Sequence, residues 1–406
     1  MKSLRVADAE PPLPPPPSPP ILIPDELIKE ILSLLPVKSL VRFNCVSKSW
    51  KLIISDPHFV KLHLHRSSAK ITDFEHIQLQ SLPIYQSQVS IYSIPLLFSS
   101  QNQKPHLYPI DNHYKLMGVC NGLVSFIKLE LCSKECTCWV RLWNPAIRLW
   151  SQVSPPLSLR RQQNGYFDSS FCTFGFGYDR LNDTYKVVAV FYYRTHSEEL
   201  MQSVINVYDM RGSCWRTIQS FPDLSDKPPK LCLSSEQIGV YVSGTVNSVR
   251  IVNTNLFFIV SLDLGTEEHT QMSVPCFPQR AEGINFPPAL GVLKDSLCVL
   301  HNISETRFVI WQMKEIGAHD SWTQLFDIVF EGHLVRWRTP MEHLTGFVLF
   351  EDEVLLMSYL EQVLYNKRDN TFKLNSIANR SSIANRSDAI NGLHVHNYIE
   401  SLVSPC

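Results

Sequence analysis

From about Ile71 onward the chain consists of short β-branched and aromatic runs separated by Gly, Asn, Asp and Pro, with almost no helical periodicity. Phe171–Tyr178, Tyr185–Tyr193 and Ser203–Tyr208 are examples. The runs recur in a pattern that leaves few folds open. A strand, a turn and a second strand occur at Trp139–Trp150, Val204–Trp215, Phe258–His269, Phe308–Trp322 and Gln362–Phe372. Their turns lie roughly 50–65 positions apart, the period of a four-stranded propeller blade. Further strand pairs precede these units, as at Gly122–Ile127, Gly239–Val242 and Ala289–Leu300. With one more unit built from residues near 71–113 and a C-terminal strand near 394–400, the chain would close a ring of about six blades. Pairing the two ends in one sheet removes the open edges that invite aggregation. An open pair of β-sandwiches is the alternative. Residues 376–387 read SIANRS twice in tandem, which fits a tolerated loop insertion.

Residues 21–66 are written differently. Asp25 and Glu26 follow Pro24 and complement the positive end of a helix dipole. Leu27, Ile28, Ile31, Leu32, Leu34 and Leu35 then form a stripe wider than one small core requires, and Pro36 ends that helix. Val37, Leu40, Val41 and Phe43 line a second helix, with Cys45 and Val46 near its end. Ser47 opens a third, with Trp50, Ile53 and Ile54 inward. Ser55-Asp56-Pro57 starts a fourth around Phe59, Val60, Leu62 and Leu64. A unit this small with surplus apolar surface reads as half of an interface. Before it, eight of the ten residues 11–20 are proline, so residues 1–20 read as a stiff, disordered leader. The domains expected are therefore 1–20, 21–66 and 67–406.

Composition excludes several classes. The 406 residues are 44% hydrophobic and 18% charged, as in a globular protein, and 37 basic against 38 acidic residues give no surplus for nucleic acid. No apolar run is long enough to cross a bilayer, and the first 20 residues contain no signal-type segment. A cytoplasmic or nuclear location is expected, where the 11 scattered cysteines serve mostly as small buried hydrophobes.

No nucleophile elbow, Walker loop, zinc-protease helix or kinase signature occurs, and no cofactor is expected. Gly175 and Gly177 sit inside a strand, where packing explains them. Cys132, Cys136 and Cys138 lack a second pair of thiols for zinc and read as an irregular loop between strands. His63 and His65, and His394 and His396, lack a matching carboxylate and read as surface histidines. Trp143, Trp150, Trp215 and Trp322 recur at similar repeat positions, which favours packing between blades. The chain reads as a binding protein without catalytic or metal sites.

Two resemblances sharpen this. Ile23-Pro24, Leu27, Ile31-Leu32, Leu35-Pro36-Val37, Leu40, Val46-Ser-Lys-Ser-Trp50, Ile53 and Asp56-Pro-His-Phe59 resemble the F-box. Gly118-Val-Cys-Asn-Gly-Leu123, Trp143-Asn-Pro145, Gly175-Phe-Gly-Tyr-Asp179, Tyr185-Lys-Val-Val188, Ser321-Trp322 and Tyr398-Ile-Glu-Ser-Leu-Val-Ser-Pro405 resemble the plant F-box-associated domain, in the expected order. The resemblance covers about 25–66 and 105–405. It implies a small all-α F-box followed by an all-β, propeller-like domain of kelch type. It further implies a substrate receptor of an SCF-type ubiquitin ligase, itself not an enzyme. Ile23, Pro24, Leu27, Ile31, Leu32, Leu35, Pro36, Val37, Leu40, Val46 and Trp50 would then dock on a Skp-family adaptor, and through it on cullin and a RING subunit. The β-domain would hold an unidentified protein substrate. A scaffold or sequestering protein without ligase output, a glycan- or small-molecule-binding propeller, and the pollen self-incompatibility group that recognises ribonucleases share the same features.

Overall fold

In the computed structural model the described residues are 23–69, 75–81, 87–93, 106–111, 113–131, 135–160, 165–195, 201–221, 236–253, 256–275, 288–304, 307–330, 344–350, 352–358, 361–376 and 393–405. The proline-rich leader and most of the SIANRS duplication lie outside them.

Helices form where the prolines and caps direct. α1 spans Asp25–Leu32, α2 Val37–Phe43, α3 Lys48–Ser55 and α4 Pro57–Ala69. Pro24 and Pro36 are extended N-cap residues and not members of the first turn. The Ser47 hydroxyl accepts a hydrogen bond from the Trp50 amide at 3.1 Å, using one of the free donors at the start of α3. α1 ends at Leu32, earlier than Pro36 alone requires. The Leu35 carbonyl in the following turn bonds the His63 ring of α4 at 2.9 Å. His63 is therefore a buried structural residue, not a surface one.

The strands fall into six sheets among the described residues. The first joins β1 (Glu75–Ser81), β2 (Ser87–Ser93) and β3 (His106–Ile110) to the final strand β26 (Leu393–Tyr398), which pairs antiparallel with β1. The second holds β4 (Tyr114–Cys120), β5 (Leu123–Leu131), β6 (Glu135–Asn144), β7 (Leu149–Trp150) and β8 (Leu157–Arg160). The third holds β9 (Gly165–Asp179), β10 (Thr184–Thr195), β11 (Met201–Asp209), β12 (Cys214–Ile218) and the short parallel β13 (Glu236–Ile238). The fourth runs β14 (Val240–Val242), β15 (Thr245–Asn253), β16 (Leu256–Asp263), β17 (His269–Ser273). The fifth runs β18 (Ala289–Leu293), β19 (Ser296–Ser304), β20 (Arg307–Met313), β21 (Trp322–Val329). The sixth runs β22 (Leu344–Leu349), β23 (Glu353–Ser358), β24 (Glu361–Asn366), β25 (Thr371–Ser376).

The five sequence repeats are the outer hairpins of the second to sixth sheets. Strands β4, β9, β14, β18, β22 and β26 are neighbours in that order and return from β26 to β4, so the sheets are blades around a common axis. The open-sandwich alternative is not what forms.

Apolar clusters fill the gaps between blades. Met117, Leu142, Phe174 and Phe191 join the second blade to the third, and Leu300, Phe308, Phe347 and Leu356 join the fifth to the sixth. The recurrent tryptophans lie in such seams: Trp143, stacked on Trp150, meets Tyr108 of the first blade edge-on at 4.9 Å, the Trp215 indole donates to the Pro155 carbonyl at 2.9 Å, and Trp322 packs in the cluster shared by the fourth and fifth blades. Gly175 and Gly177 give close approach as well, since a Cβ would lie 2.3 Å from Val246 in one case and 2.2 Å from the Tyr241 ring in the other. Cys136 and Cys138 lie in strand β6, not in a loop, and both are buried; burial pushes the Cys138 thiol up. Cys132 is outside the described residues.

The ring closes on a polar knot. Asn144 is fully buried, and its amide donates to the carbonyls of Ser401 (3.0 Å) and Val403 (2.8 Å) while its Oδ1 accepts from the Ala146 amide. Replacing Asn144 by alanine removes its donor from the buried Ser401 carbonyl and the part-buried Val403 carbonyl and is expected to cost about 2 kcal/mol. A lowered urea midpoint with faster carboxypeptidase trimming of the C-terminus would register it.

Candidate adaptor-docking face

Helix α1 has two apolar sides. Leu32 is buried with Leu40, Ile53, Ile54 and Phe59, and Ile28, Leu35, Phe43 and Trp50 pack around them. Trp50 meets Phe43 edge-on at 5.2 Å. Val37, at the start of α2, is buried too. On the other side, Ile23, Leu27, Ile31 and Leu34 are 53%, 55%, 56% and 55% exposed. Leu27 and Ile31 lie one turn apart on α1, and Ile23 and Leu34, just before and just after the helix, continue this exposed apolar row along the chain. Val46, in the turn before α3, and Leu52 on α3 are also exposed, at 61% and 74%.

The residues singled out in the sequence thus separate. Ile23, Pro24, Leu27, Ile31, Pro36 and Val46 are exposed, Leu35 and Trp50 are half-buried, and Leu32, Val37 and Leu40 form the interior. Leu52, 74% exposed, was not singled out; its place opposite Ile53 and Ile54 on α3 is the only sequence signal for it. Covering a half-exposed Leu or Ile is worth about 1 kcal/mol, so this row and its flank can supply several kcal/mol to a partner with an apolar groove.

The opposite side of the module faces the ring. Between α2–α4 and one mouth of the ring lies a cavity of about 1950 Å3, bordered by the ends of the inner strands and the turns after them, including Asn121, Ser243 and Asp295. Lys61 of α4 pairs with Asp183 in the β9–β10 turn at 2.6 Å. Several of the cavity's polar groups pair with one another. Tyr185 accepts from Asn121, Tyr241 donates to the Tyr178 carbonyl and Tyr178 donates to Asp183. Burial raises the Cys120 thiol and pushes the Tyr241 phenol up to about 12, so neither is primed as a nucleophile or base at neutral pH. Among the described residues no group of three or more His, Cys, Asp or Glu is arranged to hold a metal ion, and no helix is long and apolar enough to cross a membrane.

Comparison with known proteins agrees with this division. Residues 21–62 match the F-box domain, and residues 71–405 match the F-box associated beta propeller domain. An F-box/kelch-repeat protein of Arabidopsis thaliana is 30% identical over 75% of this chain and 79% of its own length. The F-box protein CPR1 of the same plant is 25% identical over 75% of this chain and 73% of its own. Among solved structures, the Aleuria aurantia lectin aligns with a TM-score of 0.40 and 9% identity over 72% of this chain and 91% of that one.

Proposed function

Because the chain belongs to the family of F-box proteins that carry an F-box-associated β-propeller domain, we propose that it is the substrate-recognition subunit of an SCF-type ubiquitin ligase. The observation that carries the reading is the exposed row Ile23, Leu27, Ile31 and Leu34, left uncovered by a module that already has its own core. That row, with Val46 and Leu52, would dock on a Skp-family adaptor and through it on cullin and a RING subunit. The ring would hold a protein client. The helices border one mouth of the ring, so the client would sit at the other.

On this reading the chain performs no chemistry. It acts by proximity, raising the effective concentration of the client's lysines near a charged conjugating enzyme in the cytosol or nucleus. Proximity labelling in cells, comparing wild type with a Leu27→Asp/Ile31→Asp variant, tests it. Clients should be labelled by both forms and accumulate only with the variant. Adaptor capture without any change in client turnover would instead favour a scaffold or sequestering role.

A further inference from the structure

The segment after β26, residues 399–405, runs along the boundary between ring and helices, and successive side chains serve different bodies. Ser401 is fully buried, and its carbonyl and that of Val403 receive the Asn144 amide. Gly122, at φ +78°, lies against the segment so closely that a Cβ would sit 2.6 Å from the Ile399 carbonyl oxygen. Val403 packs into the core shared by the second and third blades. Leu402, between these anchors, joins the helical core of Leu32, Leu40, Ile53, Ile54 and Phe59. The Lys61–Asp183 ion pair also crosses the boundary, but both side chains are more than half exposed, and such pairs contribute little.

We propose that Leu402 is a positioning residue. The ring closure clamps the backbone on either side of it, and its side chain fixes the angle at which the helical module is held. This deepens the function proposed above: a ligase subunit that works by proximity needs a constant distance between adaptor face and client face, and Leu402 supplies the rigidity that an inter-domain contact of ordinary size lacks. Three motif segments, around Gly122, Asn144 and Ser401, meet to hold one leucine in place.

Distance measurement by electron spin resonance tests this, using bio-orthogonal labels at exposed Lys51 on α3 and Lys373 on β25 of the full chain. Wild type and Lys61→Ala should give one narrow distribution. Leu402→Ala should broaden it to at least about twice that width, Leu402→Val should fall between, and Leu402→Met should restore it. The ring's melting temperature and the affinity for a purified Skp-family adaptor, within about twofold, should stay as in wild type because neither surface is touched. A Leu402→Ala distribution as narrow as wild type, or broadening by Lys61→Ala alone, would overturn the proposal. Should Leu402→Ala lower ring stability, the Leu402→Val variant decides by the same criterion. Because the distances are read on the chain alone, failure of wild type to bind the adaptor would sink the ligase reading and leave this result standing.

Discussion

Methionine in place of Lys186 is expected to destabilise the ring by about 3–5 kcal/mol, although the two side chains have similar volume. Lys186 is 2% exposed on strand β10. Its three ammonium protons meet three acceptors: Asp179 at 2.7 Å, Glu267 at 2.9 Å and the Leu264 carbonyl at 2.5 Å. Asp179 belongs to the third blade, Leu264 and Glu267 to the fourth, so the lysine ties one seam of the ring. Without it Asp179, fully buried, keeps among the described residues only the hydrogen bonds of its own turn from Leu181 and Asn182. Glu267 retains Arg216.

The pH dependence has a definite sign. Burial opposes ionisation of Asp179 and Glu267, but hydrogen bonds from Lys186 with Asn182, and from Arg216 with Lys186, outweigh it and hold both carboxyls below their ordinary values. Their contribution is present above about pH 4 and is lost as pH falls through the lowered native values. Burial likewise opposes the charge on Lys186, and its pairing with Asp179 and Glu267 raises it, so its contribution is full below about pH 10 and lost above. Wild type should therefore lose stability in urea on acidification from about pH 6 to below 3, most of it below about pH 4. In Lys186→Met the uncompensated Asp179 takes up a proton more readily when folded, so the same acidification should narrow the gap to wild type. A gap that stays constant or widens would show that the cluster does not act as a compensated buried charge group.

The second large effect is expected on α1. Aspartate at Leu27 or Ile31 puts a carboxylate in the centre of the exposed row and should weaken adaptor binding about 100-fold or more, leaving the fold intact. Aspartate at Leu32, one residue on, should also abolish binding, but by unfolding the module, because Leu32 is 1% exposed and a buried carboxylate there has no partner. Circular dichroism and hydrogen exchange of the helices separate the two outcomes. If Leu27→Asp and Ile31→Asp bind as wild type does, the adaptor uses some other surface.

The contrast between Leu27 and Leu32 marks what residue patterns convey and what they do not. All four helices were legible from prolines, caps and 3.6-residue spacing, and the blades from repeated strand–turn–strand units. Those signals are local. Which flank of α1 turns inward was not legible, because both flanks are apolar and only the packing of α2–α4 distinguishes them. His63 read as a surface residue because its partner is a carbonyl 28 positions away, left free by the early end of α1. Lys186 stood inside the Tyr185–Val188 motif with nothing to show its purpose, since Glu267 lies 81 positions on. Asn144 and Ser401 were recognisable as motif members, yet only closure of the ring brings them together.

The exposed row of α1 is expected to be the adaptor-docking face. Calorimetric titration of the full chain with a purified Skp-family adaptor tests it most directly. One-to-one binding with a dissociation constant of about 1 µM or tighter is expected, and no measurable heat for the Leu27→Asp/Ile31→Asp double variant with an unchanged circular dichroism spectrum. No binding by the folded wild-type chain, or equal binding by the double variant, would contradict it.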